Sequence, residues 1–172
     1  MGDGALTAVA DAGPWIHLHE VGCLPLLSQF QVLHVPDAVW AEITTPGRLT
    51  SADIHGVGNA QRHSPPTAEV VRFTSEHSLT DLQSGERESL WLARKLGVGI
   101  LLTDDLAARE AARSLHLRPV GSLGIIAHAC VQKIVSLEQA EQSMTDLYVI
   151  SSLFVTPTIV EMAIDDLRQR VT

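Results

Sequence analysis

Cysteine is scarce in this chain, with two residues among 172. Cys23 and Cys130 lie 107 positions apart, each in an apolar setting, and no CxxC spacing is present. This usage excludes a disulfide-stapled scaffold, because such a scaffold needs several closely spaced pairs. The pattern predicts two buried free thiols and a reducing, cytoplasmic setting.

Long apolar runs are also missing. No stretch approaches the roughly 18 apolar residues of a membrane span. The N-terminus lacks the basic start and the long apolar stretch of a signal peptide. We therefore expect no membrane partner.

Basic residues are few, with 12 Lys and Arg against 20 Asp and Glu and a formal net charge of −8. This balance argues against a broadly basic nucleic-acid-binding surface. It does not exclude nucleic acid as a substrate, because an enzyme can reach phosphates through metal ions and a local basic patch. All twelve cations lie from Arg48 onward, so the later elements would build such a patch.

Several catalytic signatures are absent as well. The chain has no GxSxG elbow, Walker motif or GxGxxG loop, which leaves serine-hydrolase, P-loop and dinucleotide-binding hypotheses without support. Its eight histidines show no HxxxH spacing. We predict that His55, His63 and His77 are exposed residues of a loop-rich region rather than zinc ligands.

The composition is that of a globular protein, 45% hydrophobic and 19% charged, and the length suffices for a core without staples. We expect a single domain over residues 1–172. Its core is predicted at about 6–135 and a C-terminal helical extension at 136–172.

Strand-like and helix-like segments alternate along the chain. Strands are predicted at 6–10, 32–35, 69–73, 98–102 and 118–120, and helices at about 13–27, 36–43, 86–96, 105–115, 125–135, 137–148 and 157–170. Residues 44–67, rich in Gly, Pro, Ser, Thr and His, are expected to form a long loop. The alternation predicts a three-layer α/β/α fold, with a central parallel sheet of about five strands and extra C-terminal helices.

Acidic residues follow two of the predicted strands directly. Asp11 ends the first strand, and Asp104 and Asp105 follow the fourth. If the chain winds outward through strands two and three and then crosses back, strand four lies beside strand one. The switch point of the sheet then falls between Asp11 and Asp105, where α/β proteins place ligands. Carboxylates at this edge suggest a site for a divalent metal with hard oxygen ligands.

Five short motifs occur in an order and spacing that resemble a known family. They are VADAGPWI at 9–16, PDAVWAEI at 36–43, GE at 85–86, LTDDLAAR at 102–109 and GSLG at 121–124. Together they resemble the PIN domain over roughly residues 6–135. They are most similar to a prokaryotic PIN-related group that reads DxSPL, PxxVxxE, GE, DDxxAR and GTLG.

The resemblance implies an activity and a set of site residues. PIN domains are typically Mg²⁺- or Mn²⁺-dependent nucleases, often the ribonuclease toxin of a VapBC-type toxin–antitoxin pair. RNA is then the substrate, an antitoxin protein is a possible partner, and a homodimer is expected. The implied catalytic set is Asp11, Glu42, Glu86 and Asp105. The predicted metal ligands are Asp11, Glu86 and Asp105, together with Asp104 as an added neighbour.

The chain departs from the family pattern at two positions. Gly13 stands where the family usually has Ser or Thr, so a hydroxyl group beside the first aspartate is missing. Glu86 stands where other PIN branches have Asp, and its carboxylate is one methylene longer.

Each acidic residue also has a structural alternative. Asp11 could cap the helix that begins near Pro14, and one of Asp104 and Asp105 is expected to be an N-cap. Glu42 and Glu86 could be solvent-facing positions of amphipathic helices.

Three further residues are candidates for substrate binding. Arg109 could contact phosphate or form a helical ion pair with Asp105, four positions earlier. Thr103 could instead orient Asp105 or cap the following helix. Ser122 could touch phosphate or belong to a glycine-flanked turn.

Two rival functions remain open. Gly13 and the acidic surface favour a PIN-like module that binds RNA or protein without catalysis. A strand-end aspartate can also be the nucleophile of a metal-dependent phosphatase or phosphotransfer domain. Against the latter, Asp11 lacks the DxD signature of aspartyl phosphatases.

Overall fold

The computed structural model describes residues 6–171. Five strands lie in this range: β1 (Thr7–Ala10), β2 (Val32–Pro36), β3 (Ala60–His63), β4 (Ile100–Leu102) and β5 (Arg118–Val120). The α-helices of the same range are α1 (Ala12–Glu20), α2 (Asp37–Ile43), α3 (Ser51–Val57), α4 (Thr67–Glu76), α5 (Ser84–Leu96), α6 (Leu106–Ser114), α7 (Ser122–Val131), α8 (Leu137–Val149) and α9 (Pro157–Val171). A 3₁₀ helix (Leu24–Gln29) links α1 to β2.

The strands form one parallel sheet in the order β3-β2-β1-β4-β5. The predicted crossing back is confirmed, since β4 pairs with β1 through Val9–Leu101 and Ala10–Leu102. The next backbone group continues this pairing, because the N–H of Asp11 donates to the carbonyl of Leu102 at 2.9 Å. Asp11 therefore lies at the switch point of the sheet.

The two faces of the sheet contact different layers of helices. Ala8 and Ala10 belong to a buried cluster with residues of α1, α2, α7, α8 and α9, whereas Val9 and Leu101 belong to a second cluster with α5 and α6. Successive strand residues point to opposite faces, so one short apolar strand supplies both cores. The predicted three-layer α/β/α architecture is confirmed.

The secondary structure predicted for residues 44–76 was wrong. Residues 69–73, predicted as a strand, lie in α4, where Val70 and Thr74 are buried and Val71 is exposed. Burial at a spacing of four is the helical period, and it overrides the β propensity of the adjacent valines.

The region predicted as a long loop holds the true third strand and a helix. Thr50 and Asp53 form a capping box that begins α3, and Gly58 ends the helix in the left-handed conformation. β3 follows, a polar edge strand that pairs only with β2 among the described residues.

The C-terminal helices share the core of the sheet. Met144 and Leu147 of α8 and Leu167 of α9 are fully buried, in the same cluster as Ala8 and Leu33. Both helices pack against α7. The predicted C-terminal helices are confirmed, and they pack against the core on one face of the sheet.

Two smaller expectations concern thiols and membranes. Both cysteines are free; Cys130 is buried and Cys23 half-buried. Within residues 6–171, no helix combines the length and the apolar character needed to cross a bilayer.

Candidate active site

A cavity of about 450 Å³ opens where β1 and β4 end. Several elements contribute carboxylates to it: the residues after β1 and β4, the last turn of α2 and the first turn of α5. The five acidic residues singled out in the sequence all line it: Asp11, Glu42, Glu86, Asp104 and Asp105.

Asp11 is the most buried of these acids, with 6% of the residue exposed. It occupies the N-cap position of α1, but its side chain makes no capping hydrogen bond. Its Oδ2 instead accepts a hydrogen bond from the hydroxyl of Thr103 at 3.0 Å. Burial raises the pKa of the Asp11 carboxyl from 3.8 to about 7, and the charges of Glu86 and Glu42 add to the rise.

Glu86 lies in the first turn of α5, where the positive end of the helix dipole faces the cavity. Its Oε2 accepts from the backbone N–H of Gln83 at 2.9 Å, in a capping box. Burial raises the pKa of Glu86 above its usual range, and the nearby charges of Asp105 and Glu42 raise it further, against the effect of the Gln83 hydrogen bond.

Glu42 is partly exposed to solvent and forms an ion pair with Arg48. Its Oε1 lies 3.1 Å from Nη1 of Arg48, and the same guanidinium donates to the Glu42 carbonyl. Arg48 also lines the cavity, so one cation is present among the carboxylates.

Asp105 is the N-cap of α6, as one of the structural alternatives predicted. Its Oδ1 accepts from the backbone N–H of Ala108 at 2.8 Å. Asp105 therefore combines a capping role with a place at the cavity.

The carboxylates converge without forming a ready-made metal cage. Within residues 6–171, no group of three or more His, Cys, Asp or Glu side chains is already placed to hold a metal ion. One oxygen each of Glu42, Glu86 and Asp105 accepts a hydrogen bond from a guanidinium or a backbone N–H. The second oxygen of each accepts no hydrogen bond from the described residues. Each of these acids therefore keeps one oxygen atom free to coordinate a metal ion.

Gly85 keeps the space between these acids open. A Cβ atom there would lie 3.5 Å from Oδ1 of Asp11, 3.7 Å from Oε2 of Glu42 and 3.3 Å from a methyl group of Val39. Any side chain longer than alanine at position 85 would enter the cavity.

Asp104 has a different environment from the other acids. Oδ1 accepts the Ser122 N–H at 2.6 Å, and Oδ2 accepts the Ser122 hydroxyl at 2.6 Å. Nδ1 of His17 lies 2.8 Å from the same Oδ2. Both oxygens are thus occupied, an arrangement that does not favour the metal role predicted for Asp104.

The predicted substrate-binding residues lie close to the acids but do not line this cavity. Thr103 and Ser122 are fully buried, and their hydroxyl groups donate to Asp11 and Asp104. Thr103 also accepts the N–H of Asp105, as one alternative anticipated. Arg109 donates to the carbonyl of Thr103 at 3.3 Å and lines a neighbouring groove, with no ion pair to Asp105 in the described chain. Substrate contact by these three residues stays a prediction.

Sequence reasoning missed several residues that line the cavity: His17, Arg48, Gln83, Ser152 and Phe154. His17 follows Gly13 by four positions, one helical turn, which was the available signal. No sequence signal connects Ser152 and Phe154 to the site, because they lie between α8 and α9, far along the chain from the motifs. Of the histidines predicted to be exposed, His55 and His77 are, whereas His63 is half-buried and hydrogen-bonded to His34.

A parallel sheet with an acid-lined cavity at its switch point defines a class of α/β proteins that bind ligands beyond the strand ends. The chain belongs to the PIN domain family, whose sequence model matches residues 7–169. Proteins of this family are generally nucleases that use divalent metal ions. Neither the curated proteins nor the solved structures yielded a match to the chain.

Proposed function

We propose that the protein is a PIN-type ribonuclease that hydrolyses RNA phosphodiester bonds with Mg²⁺ or Mn²⁺. The observation that carries the proposal is the convergence of Asp11, Glu42, Glu86 and Asp105 on one cavity at the switch point of the sheet. These residues come from four separate segments of the chain, and no requirement of the core explains why carboxylates meet there.

The donor chemistry of the cavity fits a hard divalent cation. Asp11, Glu86 and Asp105 would hold it through oxygen atoms, and Glu42 adds negative charge beside them. Asp11 supports this fit, since a buried carboxyl with a raised pKa gains most from a neighbouring positive charge. When bound, the cation supplies Lewis acidity, which polarises the phosphate and a nearby water.

The protein's own groups would prepare the site for that ligand. Thr103 orients Asp11 through its hydroxyl group. Glu86 and Asp105 are fixed at helix N-termini by their capping hydrogen bonds. Arg48, which lines the cavity, and Arg109, which lines the neighbouring groove, would contact RNA phosphates.

We further propose that the protein is the toxin of a toxin–antitoxin pair, that it acts in the cytoplasm and that it forms a homodimer. Exposed apolar side chains support a protein partner: Phe154 is 97% exposed, and Leu106, Met162 and Ile159 are at least half exposed. The groove beside the acidic cavity is lined by Leu106, Val131, Phe154 and Ile159. Met162 lies on α9, the helix that also carries Ile159. An upstream gene for a small DNA-binding protein would support the pairing.

The activity is tested with purified protein, single-stranded and structured RNAs, and Mg²⁺ or Mn²⁺. We expect cleavage by the wild type that a chelator abolishes, and a loss of at least about 100-fold in Asp11→Asn. Asp81→Asn, which alters an exposed carboxylate outside the cavity, is the control and should cleave normally. Cleavage that survives both the chelator and Asp11→Asn would contradict the proposal.

A non-catalytic RNA- or protein-binding module is the second candidate. The specific observation in its favour is that the carboxylates are partly committed to helix caps and to Arg48, with no preformed cage within residues 6–171. This candidate predicts RNA capture without turnover in either metal, so metal-dependent cleavage in the same assay removes it.

A further inference from the structure

A histidine outside the sequence motifs lines the acidic cavity. His17 lies in α1, and its ring shares the cavity with Asp11 and Glu86. Its Nδ1 lies 2.8 Å from Oδ2 of Asp104. An ionised carboxylate only accepts hydrogen bonds, so the proton of this bond belongs to Nδ1. In the neutral ring, Nε2 then carries a lone pair, and it has no hydrogen-bond partner among residues 6–171.

Asp104 is held too firmly to release the ring. It receives three hydrogen bonds, from the N–H and the hydroxyl of Ser122 and from His17, and only 8% of its side chain is exposed. Because both oxygens are occupied, the carboxylate cannot turn without breaking a hydrogen bond. The tautomer and the orientation of His17 are therefore fixed by Asp104.

Two glycines leave the space that the pair fills. A Cβ at Gly121 would lie 2.8 Å from Oδ1 of Asp104, closer than real Cβ atoms approach. A Cβ at Gly13 would lie 3.3 Å from Cβ of Asp104 and 3.5 Å from Cε1 of His17. A serine or threonine at position 13 would bring its Cβ into tight contact with the Asp104 side chain.

We propose that His17 is a further catalytic residue of this nuclease and that Asp104 is its positioning residue. The lone pair of Nε2 accepts a hydrogen bond from the attacking water and holds that water toward the phosphate. Glu42, Glu86 and Asp105 each use one oxygen for a helix cap or for Arg48 and would hold the metal through the other, whereas His17 offers a ring nitrogen held at a fixed angle by Asp104. This inference rests on the proposed function, because the water it orients is that of phosphodiester hydrolysis.

The tautomer provides a test that does not depend on activity. In ¹⁵N–¹H correlation spectra at alkaline pH, with His17→Ala used for assignment, wild-type His17 should carry its proton on Nδ1. In Asp104→Asn the amide N–H donates to Nδ1 and moves the ring proton to Nε2. A wild-type ring protonated on Nε2 would overturn the proposal.

The catalytic role is tested by turnover. We expect His17→Ala and Asp104→Asn each to lower kcat on RNA by about 10- to 100-fold while KM changes less than about threefold. Added imidazole should restore part of the activity of His17→Ala, which a purely structural role would not allow. His19→Ala, on the same helix as His17 but outside the cavity, should match the wild type.

The outcomes separate the two proposals. If the wild type cleaves RNA and both His17→Ala and Asp104→Asn keep its kcat, the role of His17 is wrong and the nuclease function stands. If the wild type cleaves no RNA, both proposals fall. Should His17→Ala fail to fold, Asp104→Asn decides, because it is isosteric and retains the imidazole.

Discussion

At the scale of single residues, the acidic site opposes the stability of the fold. Asp11 is buried beside Glu86 and Glu42, and its pKa is raised to about 7. The hydroxyl of Thr103 offsets part of this cost through a hydrogen bond to Oδ2. Perturbed pKa values of this kind cluster at functional sites, because the charged side chains of such a site are placed for a ligand rather than for one another.

Asp11→Asn should therefore stabilise the metal-free protein, and the effect should depend on pH. Because the Asp11 pKa is about 7 in the folded state and 3.8 as its ordinary value, the folded wild type retains a proton that the unfolded chain releases. The wild type loses stability as pH rises from about 4 to about 7, and the loss is complete above pH 7. The gain from Asp11→Asn should be smallest near pH 4 and largest near pH 8, growing by an amount on the order of 4 kcal/mol.

Urea unfolding of both proteins across this pH range measures the difference directly, since the groups away from the cavity titrate alike in the two chains. Glu161→Gln, an exposed change on α9, should show no such trend. An Asp11→Asn effect that is constant with pH would contradict the raised pKa.

At the scale of elements, two helix N-termini deliver their capping residues to the cavity. Asp105 is the N-cap of α6, and Glu86 closes the capping box of α5. The positive ends of both helix dipoles point toward the acids and partly offset their mutual repulsion. A residue that begins a helix and also faces a ligand site serves stability and function at once.

The two roles of Asp105 can be separated by substitution. Asp105→Asn keeps an N-cap and removes repulsion with Glu86, so it should melt at or above the wild type without metal; Asp105→Ala should lose about 1 kcal/mol. Mn²⁺ should raise the wild-type melting temperature, with about 2.7 kcal/mol of stabilisation at a hundredfold excess over its dissociation constant. Both Asp105 variants should lose most of this Mn²⁺ response.

Ser136→Ala is the matched control, because it removes the N-cap of α8, away from the cavity. It should cost about as much stability as Asp105→Ala and keep the full Mn²⁺ response. A wild type without any Mn²⁺ shift, or an Asp105→Asn variant that retains the whole shift, would argue against Asp105 as a ligand.

At the scale of the whole molecule, the C-terminal helices complete the fold and also reach the site. Met144, Leu147 and Leu167 fill the cluster under the sheet. The segment between α8 and α9 brings Ser152 and Phe154 to the cavity. The N–H and the hydroxyl of Ser152 donate to the carboxylate of Glu20 and anchor the segment to α1. The C-terminal helices, about the last fifth of the chain, thus share a core with the sheet and reach the edge where the cavity opens.

Truncation after Val135 should consequently abolish cooperative folding. Ile125, Ile126 and Ala129 of α7 would lose the helices that bury them, at about 25 cal/mol for each Å² of apolar surface exposed. We expect residues 1–135 to show no sharp melting transition by circular dichroism. Addition of a peptide of residues 136–171 should restore part of it. A cooperative melt of residues 1–135 alone would instead divide the chain into two independent units.

Much of the fold was predictable because its signals are local. Buried parallel strands such as β1 and β4 are short apolar runs, and the acids that follow them mark the strand ends. The order of five motifs identified the family. The sequence therefore determined the layers, the switch point and the acids that meet there.

Tertiary structure decided what local patterns do not encode. The edge strand β3 is polar and is defined by its pairing with β2, whereas Val70 and Val71, apolar neighbours, belong to a helix. His17 and Asp104 are separated by 87 positions and meet only because β4 returns beside β1. Burial and hydrogen bonding depend on all surrounding segments at once, so the oxygens left free for a ligand and the raised pKa of Asp11 are properties of the folded chain.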